Sequence, residues 1–458
     1  ESSRLFPRKL QILFSMASRR GVCTALSWSD LASRLQQVTR SSGVNLDEAG
    51  RRGMVEARDG PPSSQALVRT FGGSESQIRL TLFRDNHAWC PYCHKVWLQL
   101  EEKKVPYRVE KINMHCYGAK KRSFLQKTPR GLLPAVELDG KFHIESGTIM
   151  QLIEDAYPEH ARLMPPRGRL HDRAKQLMNL ERSLFGEWLQ WLHEDDSARR
   201  GFEEVLDITD RVLGESGGPF FLGKDVSLVD CVFASTLERV AASIYYYKGL
   251  RVRNGRWTHV DAWFSEMETR ESYKAARSDF HTHVHDLPPQ IGGCVANGTP
   301  AQRAAAAAVD GTDGRSWHLP LPPLTADSAE PAEENALADR LEAAGALVHC
   351  REGVVRSSQG GGSADEAFRY VAQALIEGVD KTGLVMGAVD PTAAKSLRHT
   401  RDRICVPRDM GYTAARQLRA HLNWAADLID PADGWQGTPI TTRDRRDTDP
   451  AIFHGSVL

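Results

Sequence analysis

The sequence predicts a modular chain in which a compact α/β unit is followed by an all-α domain and then by a further helical block. Three observations carry that expectation. At 458 residues the chain exceeds what one core usually holds, and typical domain sizes suggest about three units. Its apolar pattern changes from strand-like alternation near residue 80 to helical three-and-four spacing beyond Pro158. A stretch at 295–335, with an alanine run at 304–308 and Pro320, Pro322 and Pro323, then sets off the last helical segment as if by a linker.

Composition excludes several classes. The hydrophobic fraction of 41% with 26% charged residues supplies packed cores and sets aside wholesale disorder. Lys plus Arg and Asp plus Glu both number 59, which argues against a nucleic-acid partner recruited by bulk charge. No run approaches the roughly 18 consecutive apolar residues of a membrane span. Eight cysteines are too few for a secreted disulfide scaffold, so a reducing compartment is expected and each thiol deserves its own reading.

The elements follow in order. Residues 1–75 read as a basic leader and linker with one short helix near Trp28 to Val38; Arg4, Arg8, Lys9, Arg19, Arg20, Arg34 and Arg40 stand against only Glu1 and Asp30 in the first forty positions, the acid-poor bias of an organelle transit peptide or of a disordered leader. Ile78 to Phe83 alternates as a strand. Pro91 to Lys103 puts Val96, Trp97 and Leu100 on one helical face, and Tyr107 to Ile112 is a strand again. Two short strands, Ala135 to Leu138 and Phe142 to Ile144, flank Asp139-Gly140, a strong hairpin signal, and a helix follows from Ser146 to Tyr157. This βαβ, α, ββ, α order over 76–158 is thioredoxin-like. In 159–294 the segments Leu170 to His193, Phe202 to Leu213, Leu228 to Tyr247 and Val260 to Thr269 are all helical in pattern, with Ser227 and Asp230 spaced as a capping box. The accessory block 336–458 shows helices at Leu337 to Val348, Ala367 to Ile376 and Ala414 to Ile429.

Chemistry concentrates at Cys90-Pro91-Tyr92-Cys93, placed between the first strand and the first helix. A thiol reacts as its thiolate, and the unpaired N–H groups and positive dipole end of a helix start stabilise that anion, so Cys90 is the candidate nucleophile. Cys93, one turn on, is positioned to attack a mixed disulfide on Cys90. The rival readings are half a zinc site with His94, His115 and Cys116, and a purely structural thiol pair. Pro134 at a strand start is a candidate cis peptide, which would turn the Leu133 N–H and C=O toward a peptide-like ligand; an ordinary trans proline is the alternative. Glu145-Ser146 at a helix start could grip the carboxylate and ammonium of an amino-acid head, or could simply cap the helix.

These features, in this order and spacing, resemble the amino-terminal domain of the glutathione transferases, and most closely the cysteine-type branch of omega, lambda and dehydroascorbate-reductase-like members, including plant and algal members with a CPYC motif, a KVWLQLEEKKVPYRVEKINM-like run and a carboxy-terminal extension. The resemblance continues through GGPFFLGKDVSLVDCVFA (217–234) and SDFHTHVHDLPPQIGGC (278–294), and VPRDMGYTAARQLRAHLNW (406–424) resembles the extension. It implies a thioredoxin-like glutathione-binding domain joined to an all-helical domain, with glutathione as co-substrate. By resemblance Cys90 faces the glutathione sulfur, Leu133 before cis Pro134 bonds the cysteinyl backbone, Glu145 and Ser146 hold the γ-glutamyl end, and Lys120 lies near the glycyl carboxylate. Dehydroascorbate reductases and lambda enzymes commonly replace the second motif cysteine, whereas Cys93 is kept here, so dithiol reduction stays open.

The resulting expectation is a glutathione-dependent thiol transferase acting on a small electrophilic, disulfide or oxidised acceptor, in a plastid or else in the cytoplasm. The alternative is a non-catalytic scaffold of the same fold that docks onto a larger assembly through 336–458; a homodimer is a further option. Trp188, Trp191 and Tyr245 to Tyr247 could wall an acceptor pocket or could be core. His281, His283 and His285 could line an extended segment as metal ligands, but no carboxylate or Cys apart from Asp286 is at convincing spacing, so a solvated or domain-packing tail is the default and no metal is assigned.

Overall fold

The computed structural model describes residues 25–44, 58–114, 118–253, 255–358, 362–385 and 389–431. His115 and Cys116, and the basic stretch before residue 25, lie outside the described residues.

Helix α1 (Trp28–Ser42) is capped by Ser27, whose hydroxyl accepts from the Asp30 N–H, and ends at Gly43 with φ 66°. Strand β1 (Val68–Arg69) opens a five-stranded sheet, followed by β2 (Leu80–Asp85), helix α2 (Pro91–Lys103), β3 (Tyr107–Ile112), helix α3 (Arg122–Lys127), β4 (Ala135–Leu138), β5 (Lys141–Ile144) and helix α4 (Ser146–Ala156). The sheet order is β1-β3-β2-β4-β5. The β2 and β3 strands run parallel, with Leu80 opposite Tyr107, as a crossover through α2 requires. β4 runs antiparallel to β2, Phe83 opposite Ala135, and to β5, Ala135 opposite Ile144. The β4–β5 turn places Asp139 at φ 50° and Gly140 at φ 76°, two positive values of the kind a two-residue hairpin needs.

The all-α domain contains α5 (Arg169–His193), α6 (Arg199–Gly214), α7 (Leu228–Lys248), α8 (Thr258–Met267), α9 (Glu271–Ala276), α10 (Phe280–Asp286) and α11 (Pro288–Ile291). Helix α7 is buried almost along its whole circumference, which is why its sequence is apolar on all sides. The Ser227 N–H donates to Asp230 Oδ2 at 2.8 Å, and Asp230 Oδ1 also accepts from Phe221 N–H at 3.1 Å and Trp263 Nε1 at 3.0 Å, so one buried carboxylate caps α7 and fastens two other segments to it. A single apolar core runs from Leu80 and Trp97 in the α/β unit through Trp188 and Phe233 to Val309. A buried, bidentate pair between Arg69 and Glu101, both contacts 2.9 Å, ties β1 to α2, and Tyr107 donates to the same carboxylate at 2.6 Å.

The segment 295–335, expected as a linker, is folded onto the domain. Helix α12 (Pro300–Val309) is capped by Thr299, and Gln302 Nε2 donates to the Tyr246 carbonyl of α7 at 2.9 Å. The alanine run that resembles low complexity is a helix of small side chains able to lie close to α7, and Trp317 beyond it is buried. The remaining helices are α13 (Ala336–His349), α14 (Arg351–Ser357), α15 (Gly362–Glu377), α16 (Thr392–Arg401) and α17 (Tyr412–Ile429). They build a second core with α1, to which Leu31 and Leu35 contribute. Trp28 Nε1 donates to Asp365 at 2.8 Å and Arg34 pairs with Glu377 at 2.7 Å, so the two ends of the described chain share one helical unit. No helix among the described residues is long and apolar enough to cross a membrane.

Candidate active site

Cys90 occupies the N-cap position of α2, with Pro91 in the first turn where its missing N–H costs nothing. Both cysteines are buried, Cys90 at 8% residue exposure and Cys93 at 1%. The two thiols are pulled in opposite directions. The Cys93 thiol bonds to the Cys90 sulfur and, together with the Cys93 and Tyr92 backbone N–H groups, holds Cys90 below its ordinary pKa against burial and the nearby Asp85 carboxylate. Cys93 is driven well above its ordinary value, first by burial and then by serving as donor to Cys90. The two thiols of one motif therefore differ, Cys90 favoured as the anion and Cys93 as the thiol that keeps its proton.

The loop before Cys90 is fastened from both sides. Asp85 Oδ2 accepts from the Trp89 N–H at 2.7 Å. Arg239, buried in α7, donates to the Ser235 carbonyl at 2.6 Å and to the Trp89 carbonyl, and its guanidinium centre stands 5.0 Å from the Trp89 ring centroid. The helical domain thus holds a guanidinium against the backbone carbonyl that immediately precedes Cys90, close enough to feel the Cys90 charge.

Sheet register assembles the rest. The Leu133–Pro134 bond is cis, Pro134 is buried, and β4 begins at Ala135 opposite both Phe83 and Ile144. That register brings Pro134 to the end of β2, which leads to Cys90, and to the end of β5, which leads to Glu145. Glu145 is exposed, holds φ 69°, and makes no side-chain cap to α4; Ser146 is the first helical residue and half exposed. The plain capping role weighed for this pair is absent for Glu145, and its charge is felt at the Tyr92 hydroxyl beside Cys90. Lys120 is turned to the Gly131 carbonyl at 2.5 Å, within the turn that leads to Leu133.

Two matches to known sequence families fall on this site: glutathione S-transferase N-terminal domain over residues 89–156 and glutathione S-transferase C-terminal domain over 157–266. A rice protein, probable glutathione S-transferase DHAR1, cytosolic, is 30% identical over 195 residues, covering 41% of this chain and 85% of the relative. The chain belongs to the glutathione S-transferase family. Glutathione S-transferase DHAR2 of Arabidopsis thaliana is 29% identical over 192 residues, covering 41% of this chain and 84% of the relative. The crystal structure of Chlamydomonas reinhardtii dehydroascorbate reductase aligns with 20% identity and a TM-score of 0.39 over 47% of this chain and 99% of that one.

Within this glutathione-transferase fold, several sequence expectations are redirected. Trp188 and Trp191 are 1% and 0% exposed, and Trp188 Nε1 donates to Ser243 at 2.8 Å, so they build core and do not wall a pocket. The open aromatic at the thiol is Tyr92, 45% exposed, with its ring centroid 6.3 Å from that of Phe185 and the Lys95 ammonium 5.3 Å from its centroid. Phe185, Lys95, Arg239 and Asp85 are the neighbours that sequence reading passed over; only the spacing of Lys95 from Cys90, just over one turn, signals any of them. His94 is buried, held down to about 4 by desolvation, and 3.9 Å from Glu238, which makes it a neutral core imidazole. His281, His283 and His285 sit in helix α10 and not in an extended segment: His283 reaches Glu238 at 3.2 Å and His285 reaches Asp310 at 2.7 Å.

Proposed function

We propose that this protein is a glutathione-dependent thiol transferase whose nucleophile is Cys90. The observation that supports it is the asymmetry of the motif, a Cys90 sulfur favoured as the anion by the Cys93 thiol and two backbone N–H groups, beside a protonated Cys93. The Cys90 thiolate attacks one sulfur of a glutathionylated or disulfide acceptor, forming a mixed disulfide and releasing the other sulfur as a thiolate that takes a proton from solvent. A glutathione thiolate then attacks the mixed disulfide and returns Cys90 as thiolate; alternatively Cys93, after losing its proton, closes a Cys90–Cys93 disulfide and releases the bound thiol. An oxidised acceptor receives two electrons and two protons while two thiols become one disulfide.

In this reading Leu133, beside buried cis Pro134, bonds the cysteinyl backbone, Glu145 and Ser146 take the γ-glutamyl end, and Lys120 lies at the glycyl carboxylate. The plastid is the proposed compartment, suggested by the basic leader; the family relatives include Arabidopsis DHAR3, described as chloroplastic, and rice DHAR1, described as cytosolic. Incubation with oxidised glutathione followed by intact-mass measurement tests the reading. One glutathione on Cys90 and loss of disulfide reduction in Cys90→Ala are the expected results. A wild-type chain that neither acquires the adduct nor reduces a mixed disulfide favours the scaffold alternative.

A further inference from the structure

Outside the thiol site, a second group of ligand-type side chains joins parts of the chain that the sequence keeps far apart. His87 lies in the loop between β2 and α2, Asp286 ends α10, and Cys405 stands just before Val406-Pro407 on the approach to α17. All three are buried to 0% exposure, and one nitrogen, one carboxylate oxygen and one sulfur lie within 4.8 Å of one another. His87 Nδ1 is 3.9 Å from Asp286 Oδ2. That is too long for a hydrogen bond, but close to the roughly 3.3–3.8 Å that separates two ligands around one tetrahedral ion with bonds of about 2.0–2.3 Å.

Charge and donor type agree with this geometry. Imidazole, carboxylate and thiolate together suit a borderline divalent ion such as zinc, which would balance the two negative ligands where water cannot. The neighbouring guanidinium of Arg408 is already held by both oxygens of Asp409, at 2.6 and 2.7 Å. Its approach to His87 Nε2 is 3.4 Å, on the ring nitrogen other than the one nearest Asp286, and is long enough to open without disturbing the Asp409 pair. The other two such clusters among the described residues are less suited. Asp85, Cys90 and Cys93 belong to the thiol site, and in the His281, His285 and Asp310 group Arg419 approaches His281 Nδ1 at 3.2 Å while His285 and Asp310 bond each other.

We propose that His87, Asp286 and Cys405 bind one zinc ion, with a fourth position left to water or a backbone carbonyl, as a clamp that fastens the loop before Cys90 and the carboxy-terminal block to the helical domain. Binding displaces the Cys405 thiol proton to solvent and leaves the sulfur as a zinc-bound thiolate. The clamp is independent of the thiol-transfer reading.

The full chain, expressed with added zinc and dialysed, should retain about one zinc per molecule by elemental analysis. Cys405→Ala, His87→Gln and Asp286→Asn should each lower zinc affinity by about 100-fold or more, since even residues that only support ligands cost about 10–100-fold. Zinc should raise the melting temperature of wild type but not of Cys405→Ala. The cobalt-loaded Cys90→Ala/Cys93→Ala chain should show a thiolate-to-cobalt charge-transfer band, a readout that holds even if a ligand variant fails to fold. Zinc in wild type no higher than in Cys405→Ala, metal that follows Cys90 and Cys93 or His281 instead, or no cobalt band in the Cys90→Ala/Cys93→Ala chain would overturn the proposal.

Discussion

Arg419 of α17 and Asp279, the N-cap of α10, form an ion pair with both side chains only 1% exposed. The same carboxylate accepts from the Thr282 N–H at 2.9 Å, so one side chain starts α10 and anchors the carboxy-terminal block to it. Arg419 also donates to the Ile404 carbonyl at 3.0 Å, and its guanidinium centre is 5.0 Å from the Trp317 ring centroid. Replacing one partner leaves the other charge buried alone. Asp279→Ala is therefore expected to cost about 3–5 kcal/mol in urea unfolding, and adding Arg419→Leu to it should recover part of that loss. Costs that simply add would mean the pair does not hold the block in place.

Beside that anchor, Glu330 accepts from the Phe280 N–H at 3.1 Å and is pushed up to about 8 from an ordinary 4.5, first by burial and then by the Asp279 charge. The folded chain therefore binds a proton that the unfolded chain has released between about pH 4.5 and 8. Its contribution to stability is fully present below that window and is lost as pH rises through it. Glu330→Gln should flatten the fall in melting temperature across this range and make the protein more stable than wild type above pH 8. An unchanged pH profile would show that Glu330 titrates normally.

The two motif thiols make a kinetic prediction. Cys93→Ala removes the thiol hydrogen bond that most favours the Cys90 anion while leaving the backbone donors. Iodoacetamide labelling of Cys90 at neutral pH should slow about tenfold, the worth of one hydrogen bond to a charged group, and the labelling curve should move to higher pH. Turnover limited by glutathione attack should survive this change, whereas turnover that needs a Cys90–Cys93 disulfide should be abolished.

Much of this was legible before the structure because local chemistry and packing agree. The helix Pro91–Lys103 and strand Tyr107–Ile112 fall at the residues where the apolar pattern places them, and Asp139-Gly140 turns as its composition dictates. The fold class follows from that agreement and is matched by both domain families. What stayed hidden depends on contacts between distant segments. Thr299, Pro300 and the alanine run of Pro300–Val309 are local helix signals that a low-complexity reading passes over, but nothing local says that this helix closes on α7, and nothing near Trp28 announces a partner at Asp365. At the site, the cysteines were legible because a helix start acts locally, but Arg239 reaches the Cys90 loop across 150 residues of sequence. Trp188 and Trp191 show the opposite failure, an aromatic spacing that fits a pocket or a core equally until neighbouring helices are placed.

The pH dependence of Cys90 alkylation in Cys93-intact protein, followed by mass spectrometry so that each sulfur is counted separately, tests the central claim most directly. Cys90 should react as a thiolate at a pH below the ordinary cysteine value of 9.0, with Cys93 unreactive until well above it. A Cys90 that titrates at or above 9.0, or a Cys93 that reacts first, would contradict the account.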